Sequence, residues 1–293
     1  MIDLSDFIFW LRYPPEGRGK AAATITAWSY TVKRFLAFLN GDPVAEAGVR
    51  RWIESLEDTG NGGHSIGRHL DALRAYFRFL GAEKLNVGNP AFVRKMPRWL
   101  TLEEWAKLVE VAIRPLYDPA ASEHARYRAL FYRAALLIYG GGGLRLSEGC
   151  SLRWDNIDPR GYLTVVGKGG TELPVPVQDE VIIALQQWQE AQEVASPWVF
   201  RGRTPDVHLA RGPMQTKLRE VFAQAGLKGV KVHSLRHTAG AHLRALGMDI
   251  RDIQDVLRHS SITSTDIYTH MAAEDLRKRL PKRAMGMQQR RMM

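Results

Sequence analysis

In GLRLSEGC, Arg145 and Glu148 lie three residues apart, the spacing of neighbours on one helix face. An arginine steadied by a carboxylate where a helix begins is well placed to hold a phosphate. The same pair also makes an ordinary surface ion pair. Lys168 sits in VVGKGGTELPV, at the tip of an expected hairpin. It is either a solvated turn residue or a mobile ammonium delivered to a leaving oxygen. HSLRH puts His233, Arg236 and His237 on one helix face. The two histidines have metal-helix spacing, but no acidic residue separates them as in the zinc-protease pattern, and no Cys or Asp is near, so a metal site is set aside. One of the two is read as structural; His237 is the choice, because the positions after it turn apolar. HSSITSTDIYTH then places Tyr268 after His259, with Ser264 or Thr265 suited to cap a short helix carrying the tyrosine. Tyr268 is either a packed helix residue or a nucleophile. With a free pKa of about 10, a tyrosine attacks at neutral pH only beside cations or a base.

The elements that must position these groups follow from periodicity. In TITAWSYTVKRFLAFLNG, Ile25, Trp28, Val32, Phe35, Leu36 and Leu39 form one face of a helix. In SIGRHLDALRAYFRFLG, Ile66, Leu70, Leu73, Phe77 and Leu80 do the same, with Arg74 and Arg78 a turn apart elsewhere on the surface. DPVAEAGVRRWIESLED predicts a helix between them, and a shorter one opens the chain. Residues 1–90 therefore read as a bundle of about four helices, basic outside. NVGNPAFVRKMPRWL, with its prolines, Gly-Asn pair and cations, reads as a linker over 91–100. TLEEW then starts a second domain over 101–293, with Thr101 and Glu104 at the spacing of a capping box. That domain is mainly helical, interrupted by two short strands in GYLTVVGKGGTELPVPV. Helices resume in DEVIIALQQWQEAQEV, PMQTKLREVFAQAGL, HSLRHTAGAHLRALG and DIRDIQDVLRH, and a basic tail runs from about 271. The glycines of GGGGLR end one element and permit close backbone approach.

Composition narrows the partners. The net charge of +10 favours a polyanion, nucleic acid first; a generally basic surface is the plain alternative. No apolar run approaches the roughly 18 residues of a membrane span. MIDLSDFIFWLRYPPEG puts acidic residues ahead of a short apolar stretch, unlike an export signal. The single cysteine, Cys150, excludes an intramolecular disulfide framework and a Cys-rich zinc site; it and Leu152 are expected in the core, with no reactivity assigned to Cys150. A cytoplasmic, nucleoid-associated location is expected, with no membrane partner. No Walker-type Gly-Lys-Ser/Thr loop and no strong acidic cluster for a two-metal site appears. Neither a cofactor nor a metal is expected.

Taken together, the order Arg-x-x-Glu, hairpin Lys, His-x-x-Arg-His, then His and Tyr resembles the tyrosine recombinases, the phage-type integrases, and most of all their compact Xer-like members. The matching stretches are GLRLSEGCSLRWDNID, VVGKGGTELPVPV, HSLRHTAGAHLRALG and VLRHSSITSTDIYTH, over about residues 140 to 270. The N-terminal helices and the proline-bearing linker look like the family's core-binding, SAM-like domain, on weaker motifs. The resemblance implies that Arg145 and Arg236 grip the non-bridging oxygens of a scissile phosphate and that Lys168 protonates the leaving 5′ oxygen. His233 would be the general acid/base, His259 would hydrogen-bond the phosphate, and Tyr268 would form a 3′-phosphotyrosyl bond. It implies double-stranded DNA as substrate, clamped between the two domains. Four protomers would act on paired sites through a Holliday junction, and an accessory protein is left open. Xer-like dimer resolution and mobile-element integration or excision both fit. The sequence departs from the family pattern in two places: a glycine run replaces the usual Thr-Gly before Leu-Arg, and Arg258 stands where the family often has glycine. Arg258 is expected either to contact DNA or to face solvent. No arm-binding domain of the lambda type is expected ahead of the N-terminal helices.

Two other readings stay open at this level. A type IB topoisomerase-like enzyme would relax DNA without a site; the core-binding domain speaks against it. A non-catalytic DNA-binding protein would not need all six groups.

Overall fold

The computed structural model describes residues 4–258, apart from 16, 18, 83, 92–96 and 168–170. The chain divides into two compact units, residues 1–95 and 96–293.

The first unit is four helices: α1 (Leu4–Arg12), α2 (Ala22–Leu39), α3 (Glu46–Asp58) and α4 (Gly63–Phe79). The periodic faces are the ones that meet. Ile25, Val32, Phe35 and Leu39 of α2 and Ile66, Leu70, Leu73 and Phe77 of α4 are buried, while Trp28, Leu36 and Leu80 pack at the margin. Phe7 anchors α1 against this face, its ring 5.1 Å from Tyr76 in an edge-on contact. Helix α3 starts at Glu46 instead of Asp42, with Pro43 in the preceding non-helical stretch.

In the second unit, α5 (Leu102–Tyr117) opens with the expected capping box: the Glu104 N–H donates to Thr101 Oγ1 at 3.2 Å, and the Thr101 N–H donates to Glu104 Oε2 at 3.0 Å. Helix α6 (Glu123–Leu136) follows and widens into a π-turn over Leu137–Gly141. Then come α7 (Leu146–Cys150), β1 (Ile157–Asp158), β2 (Tyr162–Val166), β3 (Glu172–Pro176), α8 (Asp179–Glu190), α9 (Arg211–Gln224), α10 (Val232–Ala245) and α11 (Ile250–Leu257). The strands form one antiparallel sheet in the order β1-β2-β3, with Leu163 opposite Val175. Leu163, Val165 and Val175 face the core, so the alternation of β2 is that of a sheet covered on one side. β1 was not expected; two residues are too few to show alternation. The hairpin closes at Gly167, whose N–H donates to Thr171 O at 2.8 Å.

The core of this unit gathers Leu108, Ile138, Tyr139, Leu144, Leu185, Leu218 and Leu235, with Cys150 and Leu152 inside it. Two glycines make the packing around α7 possible. A Cβ on Gly140 would lie 2.4 Å from the Trp105 ring, and one on Gly149 would lie 2.5 Å from the Tyr139 ring. A smaller cluster, Ala239, Leu243, Met248, Ile253, Val256 and Leu257, joins α10 to α11.

Candidate active site

The site is built where the glycine run meets α10 and the end of α11. Gly143 has φ +63°, the left-handed region that a glycine enters freely. It turns the chain so that Arg145, extended at φ −71° and ψ 153°, becomes the residue before α7. Glu148, one turn in, folds back on it. Glu148 Oε2 accepts the Arg145 backbone N–H at 2.8 Å, and Oε1 accepts Arg145 Nη1 at 2.7 Å. The Arg-x-x-Glu pair is thus an ion pair, but one whose carboxylate is buried, 6% exposed against 36% for the arginine.

Arg236 comes from α10 and is only 2% exposed. Its Nη1 donates to Gly143 O at 2.5 Å and its Nη2 to Leu257 O. Arg145 Nη2 donates to Arg258 O at 2.6 Å. Backbone carbonyls from two distant loops therefore fix both guanidinium planes. Each arginine has five N–H donors, so these bonds leave donors over on both.

Of the two expectations for Arg258, DNA contact or facing solvent, the structure overturns the second: its side chain is 9% exposed, and Nη2 donates to Glu148 Oε2 at 2.7 Å. Its backbone is left-handed, φ 54° and ψ 50°, and the turn it makes brings the side chain back over the site. Among the described residues, Arg145 and Arg258 each bond Glu148, and Arg236 feels the same carboxylate without bonding it. Burial and the two neighbouring arginines, partly opposed by Glu148, bring Arg236 down to about 10, so it stays charged at neutral pH. Burial alone would raise Glu148, but Arg258 and Arg145 outweigh it and hold the carboxylate below its ordinary range. Among the described residues the cluster carries more guanidinium than carboxylate charge, a surplus suited to an anion.

His233 lies on the first turn of α10, one turn before Arg236. Burial, then Arg236 and Arg145, hold its imidazole below the ordinary 6.5, which leaves it neutral at pH 7 and able to accept a proton. His237 is half-buried; its ring meets that of His233 edge-on at 4.6 Å, and its pKa is also lowered, by burial and then by His233 and Arg236. The histidine locked into the fold on this helix is His242, which sequence reasoning passed over. It is 3% exposed, and its Nε2 donates to Leu100 O at 2.9 Å. Thr238 Oγ1 accepts the Leu100 N–H at 2.9 Å and donates to Ser234 O at 2.8 Å. The segment entering the second unit is thereby bonded to the back of the helix that carries His233 and Arg236. No spacing signal could have revealed partners that are 138 and 142 residues apart. Lys168, His259 and Tyr268, with Ser264 and Thr265, lie outside the described residues.

Two family models match the chain: the phage integrase family over residues 98–275, and the N-terminal SAM-like domain of phage integrases over residues 8–84. Tyrosine recombinase XerA of Pyrococcus furiosus is 32% identical over 89% of this chain and 88% of its own length. Tyrosine recombinase XerD of Rhizobium meliloti is 31% identical over 88% of both. Among solved structures, the XerH site-specific recombinase bound to palindromic difH, 18% identical over 88% of this chain and 76% of that one, superposes with a TM-score of 0.67. A lambda integrase dimer on a COC′ core site, 19% identical over 91% of this chain and 100% of that one, superposes at 0.63. These two structures show the shared fold. The chain belongs to the phage integrase family, the tyrosine recombinases, and is a site-specific enzyme that cleaves and rejoins DNA through the phosphotyrosyl mechanism general to that family.

Proposed function

We propose that the catalytic machinery acts on one phosphodiester as follows. Arg145 and Arg236 hold its non-bridging oxygens and stabilise the charge that grows there in the in-line transition state. Tyr268 attacks phosphorus, and His233, neutral beforehand, takes the phenolic proton. The bond to the 5′ oxygen breaks as Lys168 protonates that oxygen, while His259 hydrogen-bonds the phosphate. The product is a 3′-phosphotyrosyl bond that conserves the phosphodiester energy, so no nucleotide cofactor enters. The observation that carries this reading is the pair of guanidinium groups pinned by backbone carbonyls, in a cluster whose described residues are short of negative charge, beside a neutral histidine.

The substrate is double-stranded DNA, bound mainly through phosphates and hence with strong salt dependence. Residues 1–90 serve as the core-binding domain, 91–100 as linker, and 101–293 as the catalytic domain with its tail from about 271. Four protomers assemble on paired sites and exchange strands through a Holliday junction, the form in which a lambda integrase tetramer has been solved. The work takes place on the nucleoid, in dimer resolution or in mobile-element integration or excision, with or without an accessory protein. Among the described residues no helix is long and apolar enough to cross a membrane.

The test is a suicide-substrate assay. Nicked duplexes from the host replicon and flanking DNA are mixed with wild-type protein and with Tyr268→Phe, then resolved on a denaturing gel. A covalent band from wild type alone is expected. A band from both proteins would place the nucleophile on another residue. Salt-sensitive binding without any band would return the chain to the DNA-binding reading.

A further inference from the structure

Arg258 is an expensive residue for its position. It follows α11 in the left-handed region, where glycine is at home and a side chain costs on the order of 1–2 kcal/mol. Its cation is buried, and its Nε is a buried donor with no partner among the described residues. The turn itself needs only the backbone, whose N–H donates to Asp255 O at 3.1 Å. The side chain adds a long bond to its own helix end, from Nη1 to Val256 O at 3.3 Å, and one bond to the catalytic cluster, to Glu148 Oε2. That bond divides the carboxylate: Oε2 serves Arg258 and the Arg145 backbone, and only Oε1 is left for the Arg145 side chain. Without Arg258, the buried carboxylate keeps only Arg145 as a bonded guanidinium and is free to take it in the two-bond fork that arginine and carboxylate favour. That fork would occupy another of Arg145's donors and cancel more of its charge.

We propose that Arg258 is a positioning residue that competes with Arg145 for Glu148, and so keeps the Arg145 guanidinium turned toward, and charged for, the scissile phosphate. It touches the phosphate only through Arg145. This rests on the phosphate-gripping role given to Arg145 above. Partners that orient a ligating group typically change activity by roughly 10–100-fold when removed, and the lower end is expected here.

The experiment compares wild type, Arg258→Gly and Arg258→Lys. Glycine suits the backbone at 258, so the first variant is expected to keep its thermal transition. On the suicide substrate, Arg258→Gly should lower the cleavage rate roughly tenfold while leaving affinity for the intact site unchanged; Arg258→Lys should recover part of the rate. The loss should shrink with a methylphosphonate at the scissile position, which removes the charged oxygen, and should vanish in a Glu148→Gln background. Equal losses on both substrates, or a loss that persists without the Glu148 carboxylate, would overturn the proposal. So would an Arg258→Gly protein that cleaves like wild type. A separate arm uses inorganic sulfate as the probe: protection against thermal unfolding should be weaker in Arg258→Gly than in Arg251→Ala, which removes an exposed charge of the same sign. Failure of wild type to form a covalent band would sink the strand-cleavage reading, while the sulfate arm still decides whether Arg258 tunes an anion site.

Discussion

Gly143→Ala tests the geometry on which the site depends. The alanine would be held at φ +63°, a conformation that costs a side chain roughly 1–2 kcal/mol. Its Cβ would also lie 2.4 Å from Leu257 Cδ2 and 3.5 Å from Ala239 Cβ. Leu257 is 2% exposed within the α10–α11 cluster, so it cannot swing into solvent. Overpacking of that kind typically costs 1–3 kcal/mol, for a total of about 2–5 kcal/mol. For a domain of this size, 1 kcal/mol moves Tm by roughly 2–4 °C, so calorimetry of the full chain should show the second unit's transition falling by about 4–20 °C. The clash falls between the two residues whose carbonyls hold Arg236, Gly143 and Leu257. Cleavage measured well below the mutant's transition should therefore also drop, on the order of tenfold or more, as expected when a group that binds the transition state is misplaced. Leu257→Ala combined with Gly143→Ala should be less destabilising than the sum of the two single changes, because the smaller side chain relieves the contact. An unchanged transition, or strict additivity in the double variant, would refute the account of how the glycine run positions Arg236.

Two further outcomes follow from the same helix. His233 and His237 are held below the ordinary 6.5, so the unfolded chain protonates first. Their contribution to stability is complete above about pH 6.5, declines as pH falls through that value, and levels off once the folded imidazoles themselves protonate; Tm between pH 5 and 8 should show this, and His233→Asn combined with His237→Asn should flatten it, whereas an equal acid loss in that variant would contradict the assignment. Thr238→Val keeps the shape but leaves the Leu100 N–H without its acceptor, in a place where Leu100 and Thr238 are both 0% exposed. A loss of about 1–3 kcal/mol in denaturant unfolding is expected, and a neutral result would mean that water or another group replaces the hydroxyl.

The charge arithmetic of the site fits an enzyme acting on a polyanion. A cluster that neutralised itself would be more stable by itself and worse at holding a phosphate. Among the described residues, the buried Glu148 is set against three guanidinium groups, which leaves a surplus that a phosphodiester can meet. The backbone carbonyls of Gly143, Leu257 and Arg258 supply fixed, uncharged acceptors in place of further carboxylates. They orient the arginines without cancelling their charge, and that orientation exists before any substrate arrives.

The sequence by itself determined the local features. The apolar faces of α2 and α4, the capping box at Thr101, the hairpin around Gly167 and the ion pair of Arg145 with Glu148 depend on residues a few positions apart, so spacing is enough to find them. The order of the chemistry-bearing residues also carried the family resemblance, because a reaction fixes which groups must be present. Only the tertiary structure decided where the arginine guanidinium groups are held and by what. Gly143 meets Arg236 across 93 residues and Arg258 meets Glu148 across 110; no local period records such pairs. The inward turn of Arg258 needed a left-handed residue and a buried carboxylate waiting for it, and the choice of His242 over His237 as the locked histidine needed the Leu100 carbonyl beside it. Side-chain type states what a residue can bond to, while long-range packing states what is within reach, and at this site the second set the direction of every guanidinium.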